Sequence, residues 1–392
     1  MKNVFIVAAK RTPIGSFGGQ FVGTSAVDLG VTAVKSIIDE YKIPANAVDE
    51  LFFGHVCQAN AGQAPARQVV IKSGISDKTP ATTVNKVCAS GMKSVVFGAQ
   101  SIQLGQSDVV VAGGMENMSQ IPFYLGKARY GYGFGNGELI DGLSKDGLTD
   151  VYHTQPMGCF ADATAEKYGL SREQQDKYAI ESYKRAAKAN GNGSFKNEIV
   201  PVEIKDRKGN ITIISEDEEF KKVKFEKIPT LRPVFSKDGT VTAANASTIN
   251  DGAGALLLVS EEALEKYNIK PLAKIVSYAD DAHEPEWFTT APVESTKKAL
   301  ERASMKISDR EYFEVNEAFS AVPMAFAKSF DVSHEKMNVL GGAVSLGHPL
   351  GCSGARILVT LLNVLTINDA KYGLAAICNG GGGASSMIIE RL

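Results

Sequence analysis

Short apolar runs bounded by turn residues recur along the chain at Val4 to Ala8, Val109 to Ala112, Leu256 to Val259, Leu374 to Ile377 and Met387 to Ile389, and predict buried strands. Helical patterns lie between them. Val27, Val31, Val34 and Ile38 fall on one face, as do Met92, Val95, Ala99 and Ile102, both near a 3.6-residue period. Alternating strands and helices imply an α/β protein with largely parallel sheets. Ser90-Gly91 opens a helix that leads to a strand ending Ala112-Gly113-Gly114. Ser353-Gly354 opens another that leads to Ile377 and the glycines after Asn379. This weak repeat suggests two similar halves. Residues 120–249 differ in character, with a glycine- and tyrosine-rich stretch from Tyr130 to Gly135, a helix start at Ser171 with Gln174 three residues on, and lysines between Lys221 and Lys227. The expected organisation is an N-terminal half over 1–119, completed by about 250–271, an inserted loop domain over 120–249, and a C-terminal half over 272–392.

The 392 residues leave room for more than one domain core, and a formal net charge of −2 gives no global reason to expect nucleic acid or an anionic membrane as partner. No uninterrupted apolar run reaches the length of a membrane span, and Val4 to Ala8 reads as a strand rather than a signal sequence. A cytoplasmic location is expected, or an organellar matrix if a presequence precedes these residues. The cysteines at 57, 88, 159, 352 and 378 are scattered, without zinc-ligand spacing, and are expected to be reduced thiols.

Four features suggest chemistry. Cys88 precedes the Met92 to Ile102 helix, where the helix dipole would pull a thiol pKa below its free value of about 8.5. A buried structural cysteine is the alternative, against which stand the small residues Ser90 and Gly91. His348 lies in a glycine-rich loop from Gly341 to Gly354, with Pro349 fixing the next φ, and could present one ring nitrogen rigidly or serve only structure. Cys378 ends an apolar strand before Gly380 to Gly383, whose backbone amides suit an oxyanion hole, unless the glycines are a mobile linker. Asn316 and Glu317 follow a short strand, a usual place for active-site groups in α/β folds.

Together the segments Asn85 to Gly91, Gly113 to Ser119, Thr242 to Ser247, Asn316 to Phe319, Gly347 to Pro349 and Ile377 to Gly382 resemble the thiolases over essentially the whole chain. Within that family the resemblance is to the mitochondrial-type, potassium-activated acetoacetyl-CoA thiolases, through Asp146 to Tyr152, Glu216 to Phe220 and Gly380 to Ser385. It implies two βαβ-rich halves in an αβαβα layered core and a reversible condensation of two acetyl-CoA to acetoacetyl-CoA and CoA. By resemblance, Cys88 is the nucleophile, His348 its activator, and Cys378 the acid/base for the second substrate. Asn316 would hold a water beside His348 at the enolate oxygen, the amides of Cys88 and Gly380 would hold the other oxyanion, and Glu317 would orient its loop. Cys57, Cys159 and Cys352 read as structural.

No nucleotide-binding fingerprint is present, so coenzyme A needs other contacts. The resemblance assigns these to Lys222, Val223, Lys224, Lys227 and Ser247, with Tyr183; a solvated lysine face is the alternative. It also implies potassium held by the Tyr183 hydroxyl and the carbonyls of Ala243, Ala244, Ala246 and Val344, all oxygen donors as a hard cation prefers. It further implies a homotetramer, with the segment from Phe123 to Phe134 at the tetramer-forming loop. Gln155-Pro156-Met157-Gly158 departs from the usual His-Met-Gly, which puts the acyl-group preference in question. A degradative 3-ketoacyl-CoA thiolase of broader chain length, a non-catalytic CoA- or lipid-binding protein on the same fold and a Cys-His hydrolase are the competing readings.

Overall fold

The computed structural model describes residues 2–392. One sheet runs through the molecule in the order Tyr312–Val315, Tyr372–Asn379, Gly383–Arg391, Ala273–Ala282, Phe5–Arg11, Asn250–Val259, Val109–Asn117, Glu50–Gly54, Ala81–Val84. The sheet is mixed rather than largely parallel. Only the Glu50–Gly54 strand with its two neighbours and the Tyr312–Val315/Tyr372–Asn379 pair run parallel. Each half closes on an antiparallel pair instead, because Asn250–Val259 returns from the insertion and Gly383–Arg391 from a tight hairpin.

The weak repeat in the sequence is a duplicated topology. Phe5–Arg11, Asn250–Val259, Val109–Asn117 and Glu50–Gly54 stand in the same order as Ala273–Ala282, Gly383–Arg391, Tyr372–Asn379 and Tyr312–Val315. Direct pairing between the halves is limited to Phe5 with Lys274 and Ile6 with Ala273. Packing does the rest. The Ser90–Gln103 and Leu350–Ile367 helices lie in one core with residues of both half-sheets, burying Met92, Val95 and Ile102 with Ile357, Leu361 and Leu365. Ala26–Tyr41 packs into a second core with the N-terminal strands, and Ala291–Ala303 and Ala321–Phe330 into a third with the C-terminal ones, which gives the αβαβα layering.

The two central helices cross at glycines. A Cβ on Gly91 would stand 2.7 Å from the Ala355 nitrogen, and one on Gly354 would stand 2.3 Å from the Met92 nitrogen. Larger residues would force the helices apart, an overpacking cost of about 1–3 kcal/mol each. Leu350–Ile367 is also the single described helix long and apolar enough to cross a membrane, a property absent from the linear reading, yet 89% of it is buried inside the protein. In the insertion the helix Arg172–Gly191 begins at a Ser171/Gln174 capping box, as the sequence predicts.

Candidate active site

The Ala81–Val84 strand turns abruptly into the Ser90–Gln103 helix, and Cys88 sits at the bend. Val87 adopts φ +46°, a left-handed conformation that a β-branched residue rarely tolerates. Local bonds hold it there. Asn85 Oδ1 accepts from the Val87 N–H at 3.0 Å, and Ser90 Oγ accepts from the Lys86 N–H at 2.8 Å while donating to the Val87 carbonyl at 2.6 Å. Lys86 Nζ reaches across to the other half, donating to Asp280 at 2.6 Å, Ser385 Oγ at 2.9 Å and the Ala384 carbonyl at 3.1 Å.

The helix-dipole expectation for Cys88 is reversed. Burial pushes its thiol up to about 12 and outweighs the Gly380 and Cys88 N–H groups, which favour the thiolate, while the charge of Glu116 adds to the rise. The resting group is a thiol. Cys378, wholly buried at the end of its strand, is pushed well above the ordinary range by burial and by the nearness of Cys88. All five cysteines are unpaired.

His348 is set by its loop. Gly347 has φ +113°, and a Cβ there would come within 2.3 Å of Asn250, whose Oδ1 accepts from the His348 N–H at 2.9 Å. Asn316 Nδ2 lies 3.5 Å from His348 Nε2, and the Asn316 oxygen has no partner within the protein. Burial, with a smaller effect of Arg356, pulls His348 down to about 3, so the ring is neutral at physiological pH. The loop before it is tied to Glu317, whose buried carboxylate accepts from the Val344 N–H at 3.0 Å and from Tyr178, Ser182 and Asn338.

Cys88, His348 and Gly380 line a cavity of about 540 Å³ walled by Met157, Phe288 and Phe319. A second hollow of about 600 Å³ shares His348, Met157, Ser247 and Phe319 with it and extends to Phe235 and Lys222. The two form a cleft that could admit a long thioester. Lys222 and Ser247 line it. Val223 packs instead against the cluster of Tyr183 and Val344, and Lys224 and Lys227 are exposed on the same segment, away from the lining. The glycines after Cys378 are no mobile linker but the turn of a hairpin, with Gly381 and Gly382 at φ +83° and +85° and the Gly382 carbonyl bonded to the His283 N–H. Gln155–Pro156 pairs with Thr149–Asp150, and Pro156 and Met157 stand in the wall of the second hollow.

Ser353, Lys86, Asp280 and Glu116 were not singled out from the sequence. Ser353 stands one helical turn beyond the Gly-His-Pro loop, and Lys86 and Glu116 fall inside the Asn85 to Gly91 and Gly113 to Ser119 segments, but the contacts of Lys86, Asp280 and Glu116 join residues far apart in the chain.

This arrangement belongs to a defined family. Residues 4–262 match the N-terminal domain and residues 269–391 the C-terminal domain of the thiolases, and the chain belongs to that family. A probable acetyl-CoA acetyltransferase of Dictyostelium discoideum is 50% identical over 392 residues, covering 100% of this chain and 95% of that one. A cytosolic acetyl-CoA acetyltransferase of Gibberella zeae is 50% identical, over 99% of this chain and 98% of that one. The crystal structure of the Acat5 thiolase from Ascaris suum in complex with coenzyme A superposes with a TM-score of 0.95 at 46% identity, covering both chains fully.

Proposed function

We propose that the chain is an acetyl-CoA C-acetyltransferase whose acetyl group passes through Cys88. The observation that carries this reading is the meeting of Cys88 and Gly380 with His348 in one cleft, in a chain about half identical to acetyl-CoA acetyltransferases along its full length. As the Cys88 sulfur attacks the thioester carbonyl, His348 Nε2 takes its proton, and the amides of Cys88 and Gly380 receive the negative oxygen. CoA leaves with the proton of Cys378, and the acetyl group stays on Cys88. The Cys378 thiolate so formed removes a proton from the methyl of a second acetyl-CoA, protonated His348 and a water on Asn316 hold the enolate oxygen, and the carbanion displaces Cys88, whose sulfur takes back the proton from His348. Two neutral groups in the resting site, Cys88 and His348, suit a proton transfer that accompanies attack rather than precedes it.

Coenzyme A would lie along the cleft past Ser247 toward Lys222, with Tyr183 and Val223 behind and Lys224 and Lys227 near its charged end. Potassium would bind to Tyr183 and the carbonyls of Ala243, Ala244, Ala246 and Val344. The local chemistry fits a cation. The short helix from Ala343 leaves the Val344 carbonyl unused, since the Gly347 N–H bonds to Ala343 and the His348 N–H to Asn250. Burial, then the charges of Glu219 and Glu317, push the Tyr183 hydroxyl upward, so it stands there as a neutral oxygen donor. Exposed Phe123, Leu125, Tyr130 and Phe134 support a tetramer-forming loop, and the name of the Gibberella zeae relative supports a cytoplasmic location.

Mass spectrometry of protein treated with acetyl-CoA tests the reading. Cys88→Ser should lose the acetyl-cysteine and the thiolysis of acetoacetyl-CoA. Cys378→Ala should keep the acetyl on Cys88 while losing thiolysis, and an adduct on another residue would overturn the assignment.

A further inference from the structure

The duplication carries a consequence for Glu116. Val315 pairs with Ala376 in one half as Gly54 pairs with Gly114 in the other, so Cys378 and Glu116, each two residues further on, occupy matching places. His55 likewise matches Asn316. The reciprocal approaches of Gly91 to Ala355 and Gly354 to Met92 equate the two central helices, and Cys88 then corresponds to Gly351. The reacting pair Cys88 and Cys378 therefore has a counterpart in Gly351 and Glu116.

There the chain has no thiol but a carboxylate that is 0% exposed. Glu116 Oε2 accepts from the Gly351 N–H at 2.8 Å and the Val56 N–H at 3.0 Å, and Oε1 accepts from the Cys57 N–H at 3.2 Å, with His55 Nε2 at 3.4 Å. Gly351 lies in the first turn of the Leu350–Ile367 helix, three residues after His348, whereas Val56 lies in the wall of the catalytic cavity beside Cys88. One side chain of the N-terminal half thus binds the segment bearing the base and the wall beside the nucleophile. Three donated N–H groups on one buried carboxylate make a rigid junction.

We propose that Glu116 is a positioning residue for acetyl transfer, which fixes the His348 loop against Cys88 from the unreactive end of the duplicated fold. It touches no substrate. Its charge also adds to the effect of burial in disfavouring the Cys88 thiolate, a readout that scaffolding alone would not move. The inference rests on the acetyltransferase reading, and the wild-type assay checks that reading separately.

Glu116→Gln keeps the shape but turns an amide donor against N–H groups. Misplacement of the base by the order of 1 Å would lower kcat by about a hundredfold, while the CoA cleft is untouched and KM stays within about twofold. The pH midpoint for alkylation of Cys88 by iodoacetamide should also move down as the charge is removed. Glu116→Asp keeps the charge, cannot span Gly351 and Cys57 together, and should lower kcat without moving that midpoint; it serves as the test if the glutamine variant does not fold. Wild-type kcat in either folded variant, or a glutamine variant whose alkylation midpoint is unmoved, would overturn the proposal.

Discussion

The Ser353 hydroxyl lies 2.6 Å from His348 Nδ1 and 2.9 Å from the Pro349 carbonyl. A hydroxyl has one proton, and if the carbonyl takes it the ring must supply the other, so Nδ1 carries hydrogen and Nε2 keeps its lone pair toward Asn316 and the cavity. The helix that ends the glycine-rich loop thereby chooses the tautomer a base requires.

Ser353→Ala should free the ring to adopt either tautomer. The lost bond corresponds to about a ten- to hundredfold fall in kcat, with KM for CoA nearly unchanged. In the wild type, a ring held down to about 3 gives no acid limb near the ordinary histidine value of about 6.5, and a pH profile of kcat checks this.

Asp280 joins the halves by accepting from both Lys86 and Lys93 at 2.6 Å. Burial pushes its carboxyl up, but the bonds and charge of Lys86, then Lys93 and Ser385, prevail and hold it near 2. A carboxylate depressed from an unfolded value of about 3.9 contributes stability above that pH and loses it as the pH falls toward about 2. Asp280→Asn should lower the urea midpoint at neutral pH, and the gap from wild type should close between about pH 4 and 2. A gap that stays constant across that range would show that the charge plays no part.

Potassium should raise activity when it replaces sodium at constant ionic strength, and Tyr183→Phe should remove most of the difference. A cation between Ala243 to Ala246 and Val344 would tie the segment ending in Ser247 to the loop that presents His348, acting on CoA affinity more than on the chemical step. Equal kinetic constants for the wild type in matched sodium and potassium buffers would rule the site out.

Much of this was legible where the signal is local. Apolar runs marked the strands, Ser171 and Gln174 marked a helix start, and glycines flanking His348 and following Cys378 marked shaped loops. What escaped depends on partners distant in sequence. The antiparallel return of Asn250–Val259 follows from where the insertion ends, which no periodicity encodes. The helix position alone makes the Cys88 thiol read as acidic, whereas burial dominates its titration and the charge of Glu116 adds least. The contact of Lys86 with Asp280 spans 194 residues, and no local pattern marks it.

That last contact also sets an order of events during synthesis. Asp280, Cys378 and Gly380 leave the ribosome long after the N-terminal strands and the Ser90–Gln103 helix are free to associate, so an emerging chain carries Cys88 without the lysine anchor, the base or the amide of Gly380. Lys86 then stays without Asp280, Ala384 and Ser385, and the turn that carries Cys88 lacks its anchor across the halves until the C-terminal strands have docked.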